Sequence, residues 1–253
     1  MMIRFLTLIT CIFLVASTAF AQNKGGKFWK NIDVYFPEDI TSTEVFNAPK
    51  PKTVTDLEAY QGAPLPTVVL LHGCGGVNAH IKKWGLTIAK AGYLVLIPNA
   101  KLIEGYPKYG CSAGNFPPRD MQKKLYKMRR KQIGTIVRRI KEIDAVQNSR
   151  VFIMGHSEGA STLVQIKAKF FKGAVVSGLK CSKRDIIIDS NVPVLFLNFQ
   201  SDPWFPNQKT HGSCDGKIAG MVEGSEMLLP GHSHNTGEVE AARKRVIEFF
   251  DTH

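Results

Sequence analysis

The nonapeptide Val151-Phe152-Ile153-Met154-Gly155-His156-Ser157-Glu158-Gly159 joins an uninterrupted apolar run to a G-x-S-x-G turn. Four consecutive apolar residues suit a strand buried on both faces. The glycines at 155 and 159 suit a sharp strand-to-helix turn that lifts the serine hydroxyl above a sheet. Ala160 to Ala168 then reads as a helix. The five-residue pattern arises by chance in many proteins, where the serine is inert. The strand before it and the helix after it give it weight here.

The same alternation continues in both directions. Val68-Val69-Leu70-Leu71 is a short apolar run ending in His72-Gly73-Cys74-Gly75-Gly76, followed by a helix with Ile81, Trp84, Ile88 and Ala89 on one face. Tyr93 to Ile97 is the next strand, closed by Pro98. A long helix runs from about Asp120 to Val146, with Met121, Leu125, Met128, Ile136, Ile140 and Ile143 at helical spacing. Beyond the turn lie strands at Ala174–Val176, Val194–Leu197 and Met227–Leu229, and an amphipathic helix from Val239 to Phe250. Upstream, Ile32 to Phe36 suits an edge strand. Apolar strands alternating with helices give an α/β fold: a mostly parallel central sheet with helices on both faces, in a single domain. Sites in such sheets form at the carboxyl ends of strands, where the chemically interesting residues of this chain fall.

A serine hydroxyl is a weak nucleophile and needs a base in hydrogen-bond reach. For this fold the chain order is nucleophile, acid, histidine. His232 and His234 both lie in the loop after Met227–Leu229, just before the last helix, and either suits the base. His211 and His253 are less well placed. Asp202 follows the preceding strand, and Pro203 stops that strand from continuing; Asp185, Asp189 and Asp215 do not directly follow a strand. An acid at 202 would fix the imidazole tautomer and stabilise the imidazolium. The tetrahedral intermediate needs donors for its oxyanion, and the backbone N–H groups of Glu158 and Cys74 are the candidates. His72 reads as a structural histidine.

The chain's 253 residues are long enough for one large core without metal or disulfides. Residues 1–21 stand apart: Arg4 precedes a charge-free apolar run to Phe20, and Ala19-Phe20-Ala21 has the small-x-small form of a signal-peptidase site. The run falls short of the ~20 apolar residues that span a bilayer. The expectation is a signal peptide cut after Ala21, a secreted or periplasmic product, and no transmembrane segment in the mature chain. Cleavage removes Cys11 and leaves Cys74, Cys111, Cys181 and Cys214, enough for two disulfides in an oxidising compartment with three possible pairings.

Taken together, His72–Gly76, Gly155–Gly159, Ser201-Asp202-Pro203-Trp204-Phe205-Pro206 and Leu229-Pro230-Gly231-His232-Ser233-His234 resemble the dienelactone hydrolase family of the α/β-hydrolase superfamily. In that family the base lies three residues after the glycine of a Pro-Gly pair, which implies His234. The resemblance implies residues 67–253 as the hydrolase core, with 22–66 as an N-terminal extension and edge strands. It also implies hydrolysis of carboxylic esters or lactones without metal or cofactor. Founding members carry cysteine at the nucleophile and are typically cytoplasmic. Ser157 in its place points to general carboxylesterase chemistry. Arg119 and Asp120 match a pair at the start of the long helix in relatives, with a structural or substrate-side role. In the fold so implied, the strands preceding Cys74 and Cys111 are neighbours, as are those preceding Cys181 and Cys214. That pairing would stabilise by ~3 kcal/mol per bridge, and the first bridge would brace the oxyanion loop.

The formal charge is +12. Lys123, Lys124, Lys127, Arg129, Arg130, Lys131, Arg138, Arg139 and Lys141 concentrate it on the long helix, which reads as a solvated face. Weak attraction to an anionic surface is the sharper reading of that face. No nucleic-acid motif accompanies the charge. The expected partner is a small-molecule ester or lactone. Rival readings are a non-catalytic binding protein on a hydrolase scaffold, or a peptidase or thioesterase of the same fold.

Overall fold

A computed structural model describes residues 26–179, 181, 186–205 and 213–253. The expected signal peptide, Asp185 and His211 lie outside the described residues. All seven expected strands form: β1 (Ile32–Tyr35), β2 (Leu65–Leu71), β3 (Leu94–Pro98), β4 (Val146–His156), β5 (Ala174–Ser177), β6 (Val194–Phe199) and β7 (Gly224–Leu229). They make one sheet in the order β1-β3-β2-β4-β5-β6-β7. Only β1 is antiparallel to its neighbour. This is the α/β-hydrolase arrangement in a single domain.

Side chains alternate between two apolar layers, as the pleat requires. On one face Val69, Leu71, Ile153 and Phe196 pack against Ile133, Ile136 and Ile140 of helix α4 (Arg119–Ile140) and Leu163 of α5 (Glu158–Leu163), with the short helices α1 (Gly26–Lys30) and α2 (Val54–Glu58) on the same side. On the other, Val68, Leu70, Phe152 and Leu195 meet Ile81, Trp84 and Ile88 of α3 (Ala79–Lys90) and Val246, Phe249 and Phe250 of α7 (Glu240–Thr252). A short helix α6 (Asp215–Ile218) precedes β7. Both faces are therefore covered, which is why the strands read as continuous apolar runs.

Two helix ends differ from the periodicity. The long helix stops at Ile140 rather than near Val146, because the chain turns through Ile143 and Val146 already pairs with Leu65. Ile143 is buried in the same core as Ile136 and Ile140, so the apolar spacing overshot the helix. The helix after the serine ends at Leu163 rather than Ala168, where the backbone has turned to φ 55°.

A third correction concerns the basic face. Lys123, Lys124, Lys127, Lys131, Arg138 and Lys141 are exposed as expected. Arg129 is instead fully buried, pointing under the sheet's carboxyl end toward the loop after β2.

Both expected disulfides are present. Cys74–Cys111 has a Cα separation of 5.6 Å and Cys181–Cys214 one of 5.3 Å. They close segments with sequence separations of 37 and 33, which by loop entropy stabilises by about 4 kcal/mol each. Among the described residues, no helix is long and apolar enough to cross a membrane.

Candidate active site

Strand β2 is flanked by β3, which follows it in sequence, and by β4, to which the chain returns after crossing the sheet. The loops leaving β2 and β4 thus splay apart at a topological switch point, the usual place for a crevice. Ser157 closes β4 with φ 55° and ψ −112°, a conformation that side-chain-bearing residues seldom adopt. The turn is held by its backbone: Ser157 N–H donates to Ser177 O at 2.8 Å and Ser161 N–H donates to Ser157 O at 2.8 Å. A Cβ on residue 155 would lie 2.7 Å from the Gly159 carbonyl, and one on residue 159 would press into the carbonyls of Leu71 and His72. Both glycines of the motif are therefore steric requirements.

The structure brings Asp202 and His234 together and leaves His232 exposed. His234 Nδ1 lies 2.6 Å from Asp202 Oδ2, and both residues are buried. The other carboxylate oxygen accepts from Trp204 N–H at 2.9 Å, and the Trp204 indole stacks on the imidazole at 4.9 Å. Nδ1–H therefore donates to the carboxylate, leaving Nε2 as the free lone pair. That nitrogen is buried without a hydrogen-bond partner among the described residues. The Ser157 hydroxyl thus makes no hydrogen bond to it here, a bond that in unliganded sites often tightens only when substrate is bound. Of the other acids considered, Asp189 pairs with Lys169 at 3.0 Å in the segment leading into β6, and Asp215 opens α6.

Behind His234 stand two further histidines that the sequence did not single out. The His156 ring lies 4.7 Å from that of His234, and His80 lies 4.4 Å from His156. His156 Nδ1 is 3.2 Å from the Ser177 hydroxyl, which pairs with the Thr236 hydroxyl at 2.7 Å. Burial drives His156 well below its ordinary range and His80 down to about 4. His72, also buried and facing Arg129, falls to about 3. These three side chains are neutral when folded but take up protons near pH 6.5 when unfolded. Their stabilising contribution is complete above pH 6.5 and is lost as pH falls toward 4. Three such protons give a slope approaching about 4 kcal/mol per pH unit. Urea unfolding at pH 4 to 7 is expected to show a steep loss of stability on acidification. His80→Phe is expected to remove about a third of that slope; an unchanged slope would count against a neutral buried His80.

The loop after β2 carries Cys74 and is fastened from three sides. The Cys74–Cys111 bridge ties it to the segment before α4. His72 accepts Ala100 N–H on Nε2 at 2.9 Å, which leaves Nδ1–H to donate to Gly73 O at 2.6 Å. His72 is structural, as read from sequence. Arg129 donates to His72 O through Nη2 and to Glu158 Oε1 through Nη1, each at 2.7 Å. Glu158 also accepts from the hydroxyls of Tyr106 and Tyr109, whose pKa values burial and the neighbouring carboxylate push upward, so both remain donors. Sequence reasoning used only the Glu158 backbone. Its carboxylate, Arg129 and the two tyrosines form a buried cluster under the turn that no local motif announces. Arg119 and Asp120 are exposed at the start of α4, and neither lines the cleft described next.

Ser157, Glu158 and Cys74 open onto a cleft that reaches solvent. Its far walls come from the segment around Phe116, from Trp204 and Phe205 after β6, and from Leu125 and Tyr126 on α4. The chain matches the dienelactone hydrolase family over residues 56–221. It belongs to that family. As a dienelactone hydrolase relative, it superposes on a candidate dienelactone hydrolase from Klebsiella pneumoniae with a TM-score of 0.58 and 17% identity, covering 88% of this chain and 98% of that one. A phospholipase/carboxylesterase from Dyadobacter fermentans gives 0.56 and 16%, covering 87% and 96%. An esterase named PE8 gives 0.55 and 17%, covering 76% and 94%. At these identities the likeness establishes the fold. No curated protein matches by sequence.

Proposed function

We propose that the chain hydrolyses carboxylic esters or lactones through an acyl-enzyme on Ser157, with His234 as general base and Asp202 orienting it. Family membership makes it a hydrolase of ester bonds. What supports the finer reading is the buried His234–Asp202 pair at 2.6 Å, which leaves Nε2 unpartnered among the described residues, with the imidazole 4.7 Å from the ring of His156 in the serine turn.

In this reading His234 Nε2 takes the proton of Ser157 as its oxygen bonds to the ester carbonyl carbon. The carbonyl oxygen becomes an oxyanion and accepts hydrogen bonds from the N–H groups of Cys74 and Glu158. Asp202 stabilises the imidazolium that results. As the tetrahedral adduct collapses, the alcohol leaves with the proton from Nε2. A water molecule, deprotonated by the same nitrogen, then attacks the acyl-enzyme, and the acid departs as the proton returns to Ser157. The chemistry calls for neither metal nor cofactor.

A fluorophosphonate probe tests this directly, because it phosphonylates only a serine activated by a base. The expected result is one adduct, on the peptide containing Ser157, which is lost in His234→Ala. No adduct, or an adduct elsewhere, would sink the assignment and favour a binding protein on the hydrolase scaffold. Residues 1–21 are read as a signal peptide removed on export, with 22–66 an extension of the 67–253 core. The two disulfides support that reading, since they persist in oxidising compartments.

A further inference from the structure

We propose that the cleft beside Ser157 selects esters bearing an uncharged aromatic ring, seated on the aromatic wall formed by Phe116, Phe205, Trp204, Tyr109 and Tyr126. The proposal rests on the ester-hydrolase reading and adds its substrate class.

Three observations lead there. The first is composition: five of the side chains lining the cleft are aromatic, and Leu125 closes its apolar floor. The second is arrangement. Phe116 and Phe205 come from loops on either side of the mouth, yet their rings are parallel within 4° at a centroid distance of 6.0 Å. That spacing leaves no room for a third ring between them. A planar group therefore seats against an outer face or edge of this stacked pair. Phe116 keeps 47% of its surface exposed although it is large and apolar, an exposure that a stacked ligand would relieve.

The third observation is charge. The chain carries a formal +12, but among the described residues lining the cleft there is no lysine or arginine. Its one ionisable acid, Glu158, is already paired with Arg129 at 2.7 Å. An anionic substituent would lose its water there and gain no cation from the described lining residues. Flexible aliphatic chains would gain burial but also lose rotor freedom on binding. A rigid ring loses little and adds ring–ring attraction from its quadrupole.

The experiment compares kcat/KM for pairs of esters that differ only in ring aromaticity. Methyl 3-phenylpropanoate against methyl 3-cyclohexylpropanoate reads the acyl side. Benzyl acetate against cyclohexylmethyl acetate reads the alcohol side. In at least one pair the aromatic member is expected to be favoured by roughly tenfold, from more than one ring contact. A para-carboxylate on that ring is expected to remove the preference. Phe116→Leu combined with Phe205→Leu should bring the aromatic-to-alicyclic ratio close to one. Ratios near one in both pairs for the wild type, or a ratio untouched by the double variant, would overturn the proposal. Calorimetric binding of 3-phenylpropanamide and 3-cyclohexylpropanamide to Ser157→Ala reads the same cleft without catalysis. If no ester were turned over, the ester-hydrolase reading would fall, and the amide preference would still decide whether the cleft is an aromatic site.

Discussion

Replacing Ser157 with alanine is expected to lower kcat/KM on p-nitrophenyl butyrate by at least about 10⁴-fold, because members of a nucleophile–base–acid set act as a unit. The change deletes one oxygen and leaves the turn intact. Both hydrogen bonds that hold residue 157 in place run through its backbone, to Ser177 O and from Ser161 N–H. Alanine inherits the φ of 55° that serine already endures, so the variant should melt close to the wild type. Loss of rate with an unchanged melt assigns the serine to chemistry. A variant that retained near-full rate would remove Ser157 from the mechanism, whatever the motif around it.

Arg129→Met carries the largest expected effect on stability. Arg129 and Glu158 have side chains only 1% and 7% exposed, joined at 2.7 Å. Removing the cation leaves a buried carboxylate with, among the described residues, only the two tyrosine hydroxyls as side-chain partners, and takes the Arg129 donor from His72 O. Breaking a buried pair from one side costs about 3–5 kcal/mol, which in a chain of this size lowers Tm by roughly 10 °C. Adding Glu158→Gln to the same protein takes the stranded charge away and should recover most of the loss. If Arg129→Met instead cost under about 1 kcal/mol, the pair would not be the brace that its burial suggests. Thermal melts of the wild type, the single and the double variant distinguish these results.

Sequence legibility followed the range of the interactions. The strands could be read because a sheet covered on both faces needs unbroken apolar runs, and β2 to β6 have them. Ser157, with its two glycines, could be read because the turn's sterics are local. Asp202 and His234 could be placed because each follows a strand, although only family resemblance separated His234 from His232. Contacts made across the fold were not legible. Arg129 sits among eight other basic residues on its stretch of chain, and nothing local distinguishes the one that turns inward. Tyr106 and Tyr109 lie in a segment with no periodicity. His80 was hidden by its neighbours, since Ile81 and Trp84 account for the apolar face of α3 without it. The start of β4 was missed because Gln147 to Arg150 are polar and largely uncovered, so the strand begins well before its apolar run.

The Cys74–Cys111 bridge also bears on when the site is finished during the life of the chain. One of its sulfurs belongs to the residue whose N–H is proposed to meet the oxyanion, and the other to the segment that supplies Tyr109 and Phe116 to the cleft. While those thiols are open, as in a newly made chain in a reducing compartment, the loop and the cleft wall lack their covalent link. Oxidation is then the step that joins the loop after β2 to the cleft wall by a covalent link.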